Sequence, residues 1–342
     1  MSNIKYINNM KIVRTDSYNY NFNSKNGYFE RWGVNKYEDS ISAPFPEILD
    51  LECTTICSKG CKFCYKSNTC NGINMGFDEF KYILDLLKPA KNKIGITQIA
   101  FGADYNLQSN PDLWRMMKYS RDCNVVPNIT CAEVSDEVAI KLKEFCGAVA
   151  ISRYDDKSKC YDSVKTLTNL DMAQINIHQL LAKETLPMIY ETLEDIKNDP
   201  RLEKLNAIVF LSLKQKGRGT SYNVADFNDV SKLFDYCFEH NICFGLDSCG
   251  ATKFLTYIDN NPELEYLKEV VEPCESSLFS SYINAEGKFF PCSFCENQDS
   301  WSDGIDVLKV SDFEKEVWNH PKTIEFKSKL LKCNRKCPIY NV

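Results

Sequence analysis

The spacing of hydrophobic and polar positions changes near residue 46. Before it, Tyr18, Tyr20 and Phe22 alternate with polar residues, the period of a half-buried strand, and Asn26-Gly27 in "KNGYF" is a hairpin-turn dipeptide. Residues 1–45 are expected to form a small β-hairpin extension. From about 46 onward, short apolar runs alternate with helical patterns. The strand candidates are "EILDLEC" (47–53), "ITQIAFG" (96–102), "NVVPNIT" (124–130), "GAVAISR" (147–153), "INIHQLL" (175–181) and "AIVFLSL" (207–213), with "CFGLDSC" (243–249) following. Between them, "FDEFKYILDLL" (77–87), "SDEVAIKLKEFC" (135–146) and "DFNDVSKLFDYCFEH" (226–240) place apolar residues three and four apart. Six strands interleaved with helices predict repeated β/α units and a parallel sheet. After about 260 the alternation stops, which divides the chain into 1–45, an α/β domain over 46–255 and a cysteine-rich tail over 256–342.

Composition narrows the class. The 342 residues are 44% hydrophobic and 26% charged, which predicts packed, globular domains. The net charge is −6 without a basic run, which speaks against nucleic acid and against an anionic membrane surface. No apolar stretch approaches the roughly 20 residues of a membrane span, and the N-terminus lacks a signal-peptide core, so the expected location is the cytoplasm. Cysteine changes the picture most: 17 are present, against three histidines. A reducing cytosol does not support a disulfide framework, so metal ligation by thiolates becomes the working idea.

Directly after the first strand, "CTTICSKGCKFCY" holds Cys53, Cys57, Cys61 and Cys64. The last three are spaced C-x3-C-x2-C, with Phe63 before the final cysteine. Three thiolates hold three irons of a [4Fe-4S] cube and leave the fourth iron open as a reaction site. At these residues the chain resembles the radical S-adenosylmethionine superfamily, whose CxxxCxφC loop follows the first strand of a partial (β/α)6 TIM-type barrel. The resemblance implies that Cys57, Cys61 and Cys64 carry the cluster, that S-adenosylmethionine binds the open iron, and that its reductive cleavage yields a 5′-deoxyadenosyl radical. Cys53 does not fit the spacing and is expected to be buried at the strand end. A structural zinc or closed cluster with Cys53 as fourth ligand is the alternative.

The resemblance also implies cofactor-binding positions at the C-terminal ends of the strands. In "FGADYN", Gly102, Ala103 and Asp104 stand where the family has GGEP, without the proline and with Asp for Glu. Thr130 ends the third strand in "NITC", and Ser152 and Arg153 lie in "ISRYDD" after the fourth. Phe63 belongs to the same cofactor set. His178, Gln179 and the "KQKGRG" loop (214–219) are further candidate neighbours, with ordinary loop chemistry as the other reading.

In the tail, Cys274 and Cys292 flank Gly287 as C-x12-G-x4-C, and "CNRKC" adds Cys333 and Cys337. The glycine suits a β-hairpin turn that would bring its two ends together. This pattern resembles the SPASM and twitch extensions found C-terminal to such barrels. It implies one auxiliary [4Fe-4S] cluster on Cys274, Cys292, Cys333 and Cys337, with Cys295 as rival ligand. Cys249 is expected to ligate, to donate a hydrogen atom or to be buried. Structural zinc is again the alternative. Cys70, Cys123, Cys131, Cys146, Cys160, Cys237 and Cys243 read mostly as small buried hydrophobes.

Relatives with such extensions imply a radical oxidoreductase or maturase acting on a peptide or protein side chain by oxidation, cross-linking or epimerisation. The 45 residues before the barrel are few for a separate leader-binding domain, so a small-molecule or nucleoside dehydrogenase or cyclase stands as the second reading. A non-catalytic metal-cluster protein is the third. The resemblance also implies a low-potential electron donor such as a flavodoxin or ferredoxin.

Overall fold

The computed structural model describes residues 3–91, 93–172 and 174–340. The N-terminal alternation extends further than one hairpin. Strands β1 (Asn3–Ile7), β2 (Met10–Arg14), β3 (Asn19–Asn23) and β4 (Phe29–Trp32) form a four-stranded antiparallel sheet in sequential order. The extra strands form because β2 also alternates, with Lys11 and Val13 buried. Gly27, in the β3–β4 turn, has φ +75°, the left-handed region that glycine adopts without strain. Tyr20 stacks on Phe29 at 5.1 Å, and the Lys11 ammonium donates to the Gly95 carbonyl at 2.9 Å, tying this sheet to the main domain.

The β/α pattern becomes one large sheet. Strands β5 (Ile48–Glu52), β6 (Gln98–Gly102), β7 (Val126–Cys131), β8 (Ala148–Ser152), β9 (Ile175–Leu181), β10 (Ala207–Ser212) and β11 (Phe244–Leu246) run parallel in chain order. They are separated by helices α1 (Phe77–Leu87), α2 (Leu113–Asp122), α3 (Asp136–Phe145), α4 (Lys157–Asn169), α5 (Leu186–Asn198) and α6 (Phe227–Glu239). Their starts follow local chemistry: Ser135, Asp156 and Asp226 each accept a hydrogen bond from an amide of the first turn. The fold is a partial TIM-type barrel of mixed α/β class.

Strand alternation separates two environments. Leu49, Leu51, Ile99, Phe101, Ile129, Val149, Ile151, Ile175, Ile177, Ile208 and Phe210 are buried in the core shared with the helices. The intervening residues (Asp50, Gln98, Ala100, Asn128, Thr130, Ala148, Asn176 and His178) are polar or small and line the barrel interior. A packed barrel would fill these positions with branched apolar side chains; this one leaves polar space.

The tail does not form a separate layer. After α7 (Ala251–Asp259) and a 3-10 segment (Pro262–Val270), β12 (Ser280–Ile283) adds to the barrel sheet parallel to β5, with Tyr282 in register with Asp50. Strands β13 (Lys288–Phe290) and β14 (Ile305–Asp306) continue antiparallel, and α8 (Pro321–Lys332) leads to the last cysteines. No helix among the described residues is long and apolar enough to cross a membrane.

Candidate active site

The first cysteine loop leaves β5 and returns to α1. Its base is closed by backbone hydrogen bonds from Met75 to Cys53 (3.0 Å), Thr55 to Ile73 (2.9 Å) and Cys57 to Thr69 (2.8 Å), so the residues between 57 and 69 project as one excursion. Within it, the amides of Cys64 and Ser67 donate to the carbonyls of Cys61 and Cys64, each at 3.2 Å. Arg218, from the "KQKGRG" loop, clamps the turn: its Nε donates to Cys61 O at 2.8 Å and its amide to Cys64 O at 3.0 Å, while its Nη atoms lie 3.3 Å from Asn68 O. The approach requires glycine at 217, where φ is +55° and a Cβ would fall 2.4 Å from Tyr65 O.

Cys57, Cys61 and Cys64 are half-buried, and all 17 cysteines are free. Burial and the nearby Cys64 and Cys57 raise the Cys61 thiol above its ordinary range, while a hydrogen bond with Tyr154 opposes the shift. Phe63 lies between Tyr154, stacked at 5.8 Å, and Tyr222, edge-on at 5.8 Å. Cys53 is buried with its sulfur 3.3 Å from Gly102 O, away from the excursion. Three thiols on one turn suit a polynuclear cluster, which spreads its ligands over separate irons. Among the described residues, no three His, Cys, Asp or Glu side chains converge on a single-ion position.

The strand-end residues divide into two groups. Gly102 ends β6 in register with Glu52 and Thr130, and Thr130 Oγ1 lies 3.4 Å from His178 Nδ1. Burial lowers the His178 pKa to about 4, so its imidazole is neutral. Ser152 ends β8 in register with His178, and a hydrogen bond to Tyr154 links it towards Cys61. Ala103 packs half-buried against the core. Asp104 is buried and its carboxylate accepts from the amides of Gln108 (3.3 Å) and Ser109 (3.2 Å), so it serves its own loop. Arg153 packs among the helices: its Nη2 donates to Glu191 of α5 at 2.7 Å and its guanidinium lies 5.8 Å from the Tyr161 ring of α4.

The second cysteine region is assembled from distant segments. The β12–β13 turn uses Gly287 at φ +77°, where a Cβ would meet Leu308 at 2.7 Å. This hairpin brings Cys274 and Cys292 within electrostatic reach of each other and of Cys337. Cys292 and Cys295 have sulfurs 3.5 Å apart, and the Cys292 thiol is shifted down by that hydrogen bond and by the amides of Phe294 and Cys295. Cys249, before α7, feels Cys274 and Cys292 and is bonded to the Lys214 ammonium. The Cys333 thiol donates to the carbonyls of Lys329 (3.2 Å), Leu330 (3.3 Å) and Lys336 (3.2 Å) at the end of α8. Thus Cys274, Cys292 and Cys337 lie within electrostatic reach of one another and of Cys295 or Cys249. Of the other cysteines, Cys131, Cys146, Cys160 and Cys237 are buried, Cys123 partly so, and Cys70 and Cys243 exposed.

The two regions touch. The Tyr65 ring lies 4.4 Å from Phe294. Lys66 pairs with Glu52 at 3.0 Å and with Glu296, and donates to Tyr282 OH at 3.0 Å; Asn284 donates to Glu296 at 2.8 Å. Lys216 donates to Glu296 O at 2.6 Å. This largely buried network escaped the sequence pattern, although Lys66 and Glu296 follow closely on motif cysteines. Asp50 and Glu275 lie nearby. Burial, with Cys292 adding, raises Asp50 to about 7; burial, with Glu47 and Asp50 adding, raises Glu275 to about 8.

No protein-family model and no curated protein matches the chain. Among solved structures, it is similar to Streptococcus suis SuiB bound to precursor peptide SuiA, with a TM-score of 0.70 and 13% identity over 98% of this chain and 93% of that one. SuiB bound to S-adenosylmethionine gives a TM-score of 0.63 and 16% identity over 84% of this chain and 68% of that one. At such identities the likeness is one of fold. The chain therefore shares the fold of SuiB over nearly its whole length.

Proposed function

We propose that this chain is a radical S-adenosylmethionine enzyme that modifies a peptide or protein side chain. The observation that carries the reading is the excursion bearing Cys57, Cys61 and Cys64, clamped by Arg218 above a polar barrel interior. These three thiols would hold a [4Fe-4S] cluster with one open iron. A second cluster would rest on Cys274, Cys292 and Cys337, completed by Cys295 or Cys249. When bound, the first cluster and S-adenosylmethionine supply a 5′-deoxyadenosyl radical that takes a hydrogen atom from the substrate.

The chain's own residues position and protect. Phe63, Tyr154 and Tyr222 shield the cysteine turn from water, Gly102 permits close backbone approach, and the Thr130 and Ser152 hydroxyls offer hydrogen bonds at the mouth. Ala100 and Ala148 keep the interior open for a substrate carbon. The Lys66 network would hold the two cysteine regions in fixed relation, as an electron path between them requires. A peptide substrate is supported by the likeness to SuiB, whose complex with precursor peptide SuiA covers nearly all of this chain. Electrons would come from a low-potential flavodoxin or ferredoxin.

The test is anaerobic: reconstitute the protein with iron and sulfide, add reductant and S-adenosylmethionine, and measure 5′-deoxyadenosine by mass spectrometry. The intact chain is expected to form it, and a Cys57/Cys61/Cys64 triple-alanine variant to fall more than about a hundredfold. Tight metal binding without any 5′-deoxyadenosine would favour the structural-cluster alternative.

A further inference from the structure

The turn that carries the last cysteines is strained. Asn334 and Arg335 both lie in the left-handed region, with φ of +53° and +58°, which residues other than glycine visit singly rather than in succession. Such a conformation persists only where surrounding contacts over-determine it. Arg335 supplies those contacts. Its carbonyl accepts from the Cys274 amide at 3.2 Å, its Nε donates to the Cys274 carbonyl at 3.0 Å, and its Nη2 donates to the Pro273 carbonyl at 2.8 Å. Main chain and side chain of one residue thus clasp the segment that bears Cys274. Two residues further on, the Cys337 sulfur accepts from the Tyr340 amide at 3.3 Å, and the Tyr340 hydroxyl donates to Phe294 O at 3.4 Å, between Cys292 and Cys295. The turn is tied to one cysteine segment by Arg335 and to the other by Tyr340.

The clasp continues into the N-terminal sheet. Glu272 is shared: its Oε1 pairs with Arg335 and its Oε2 with Arg31 of β4. Arg31 also pairs with Glu47 at 3.3 Å, and Glu47 accepts from the Tyr18 hydroxyl, next to β3. The guanidinium carbons of Arg31 and Arg335 lie 3.6 and 5.3 Å from the centre of the Phe279 ring, so both arginines rest on one side chain. Their side chains are 16% and 20% exposed, which spares these pairs most of the screening that weakens surface ion pairs. A guanidinium suits the place of Arg335, because its planar fork serves a carboxylate and two carbonyls at once, whereas an ammonium is a point charge.

We propose that Arg335 is a positioning residue of the second cysteine site, holding Cys337 beside the Cys274 segment for ligation, and that the N-terminal sheet braces it through Arg31 and Glu272. This rests on the enzyme reading above, in which Cys274, Cys292 and Cys337 share a cluster. Groups that orient ligands govern how firmly a metal is held, so a turn released from its clasp offers Cys337 only part of the time. The N-terminal strands, which the reaction itself does not use, thereby gain a role as the support of the tail.

The anaerobically reconstituted parent is compared with Arg335→Gln, Arg335→Lys and Arg31→Gln by iron release to a chelator, by electron paramagnetic resonance after reduction and by circular dichroism. Arg201→Gln, which removes a guanidinium paired with Asp162 of α4 and with Asp199, is the control for loss of an ion-paired arginine elsewhere. In Arg335→Gln roughly half of the iron is expected to leave about tenfold or more faster than from the parent, while the change of signal on adding S-adenosylmethionine, which reports the first cluster, persists. Arg335→Lys keeps a charge beside Glu272 and is expected to fall between the two. Arg31→Gln, one link further from the cysteines, is expected to quicken release less than Arg335→Gln does. Release from Arg335→Gln at the parent's rate, equal release from Arg201→Gln, or loss of both clusters together would overturn the proposal. If Arg335→Gln fails to fold by circular dichroism, Arg335→Lys and Arg31→Gln decide, and release from both at the parent's rate overturns it. A parent that binds only about four irons has no second cluster and overturns it as well. Failure of the enzyme reading shows separately, as absent 5′-deoxyadenosine from an intact chain that holds both clusters.

Discussion

The two cysteine regions are built in opposite ways. The first gathers Cys57, Cys61 and Cys64 on one turn, so their spacing is a chemical statement in itself. The second draws Cys249, Cys274, Cys292, Cys295 and Cys337 from a post-strand turn, a hairpin end and the C-terminal segment. A linear motif reports neighbours only when the backbone between them is short. Across 45 residues, from Cys292 to Cys337, tertiary packing decides which thiols meet.

The largest stability effect should come from the contact between the regions. Lys66→Met leaves Glu52 and Glu296 buried without their cation, and breaking such a pair costs about 3–5 kcal/mol. Urea denaturation would measure it. A loss below about 1 kcal/mol would mean that the two regions are not coupled through this network.

Next comes the membership of the second region. Cys292→Ala is expected to remove roughly half of the reconstituted iron, about four atoms per chain, whereas Cys333→Ala should leave the iron unchanged. Iron and sulfide assays on both variants check this. Equal loss from the two would restore Cys333 to the ligand set and mean that the α8 end rearranges.

A smaller effect probes the first region, whose three cysteines are local but whose support is distant. Arg218→Ala removes the donors to Cys61 O and Asn68 O and should cost about 1–3 kcal/mol. Limited proteolysis within 57–69 is expected to quicken. Unchanged cleavage would show that the excursion holds itself.

These differences explain what could be read in advance. "INIHQLL" forms β9 over Ile175–Leu181 and "FDEFKYILDLL" forms α1 over Phe77–Leu87, because period-2 and helical spacings are local properties. The pairing of β12 with β5 was not legible, since strands whose register partners lie 232 residues apart in sequence carry no mark of their partnership. Asp104 and Arg153 show the same limit at the site. Each follows a barrel strand, yet Asp104 turns to the amides of Gln108 and Ser109, and Arg153 to Glu191 on α5. Position after a strand gives the rim of the barrel; which side of the rim a side chain takes depends on neighbours from other segments. Asp50 illustrates the reverse. The alternation in "EILDLEC" puts Asp50 off the apolar face of its strand, and only the assembled sheet shows that this other face is the barrel interior.

The central claim is that the first region holds a cluster with an open iron and the second a closed one. Electron paramagnetic resonance of the dithionite-reduced, reconstituted protein tests it directly. Adding S-adenosylmethionine should change the signal of the parent chain and of Cys292→Ala, and leave the signal of the Cys57/Cys61/Cys64 triple-alanine variant unchanged. A response in the triple variant, or none in Cys292→Ala, would contradict the assignment.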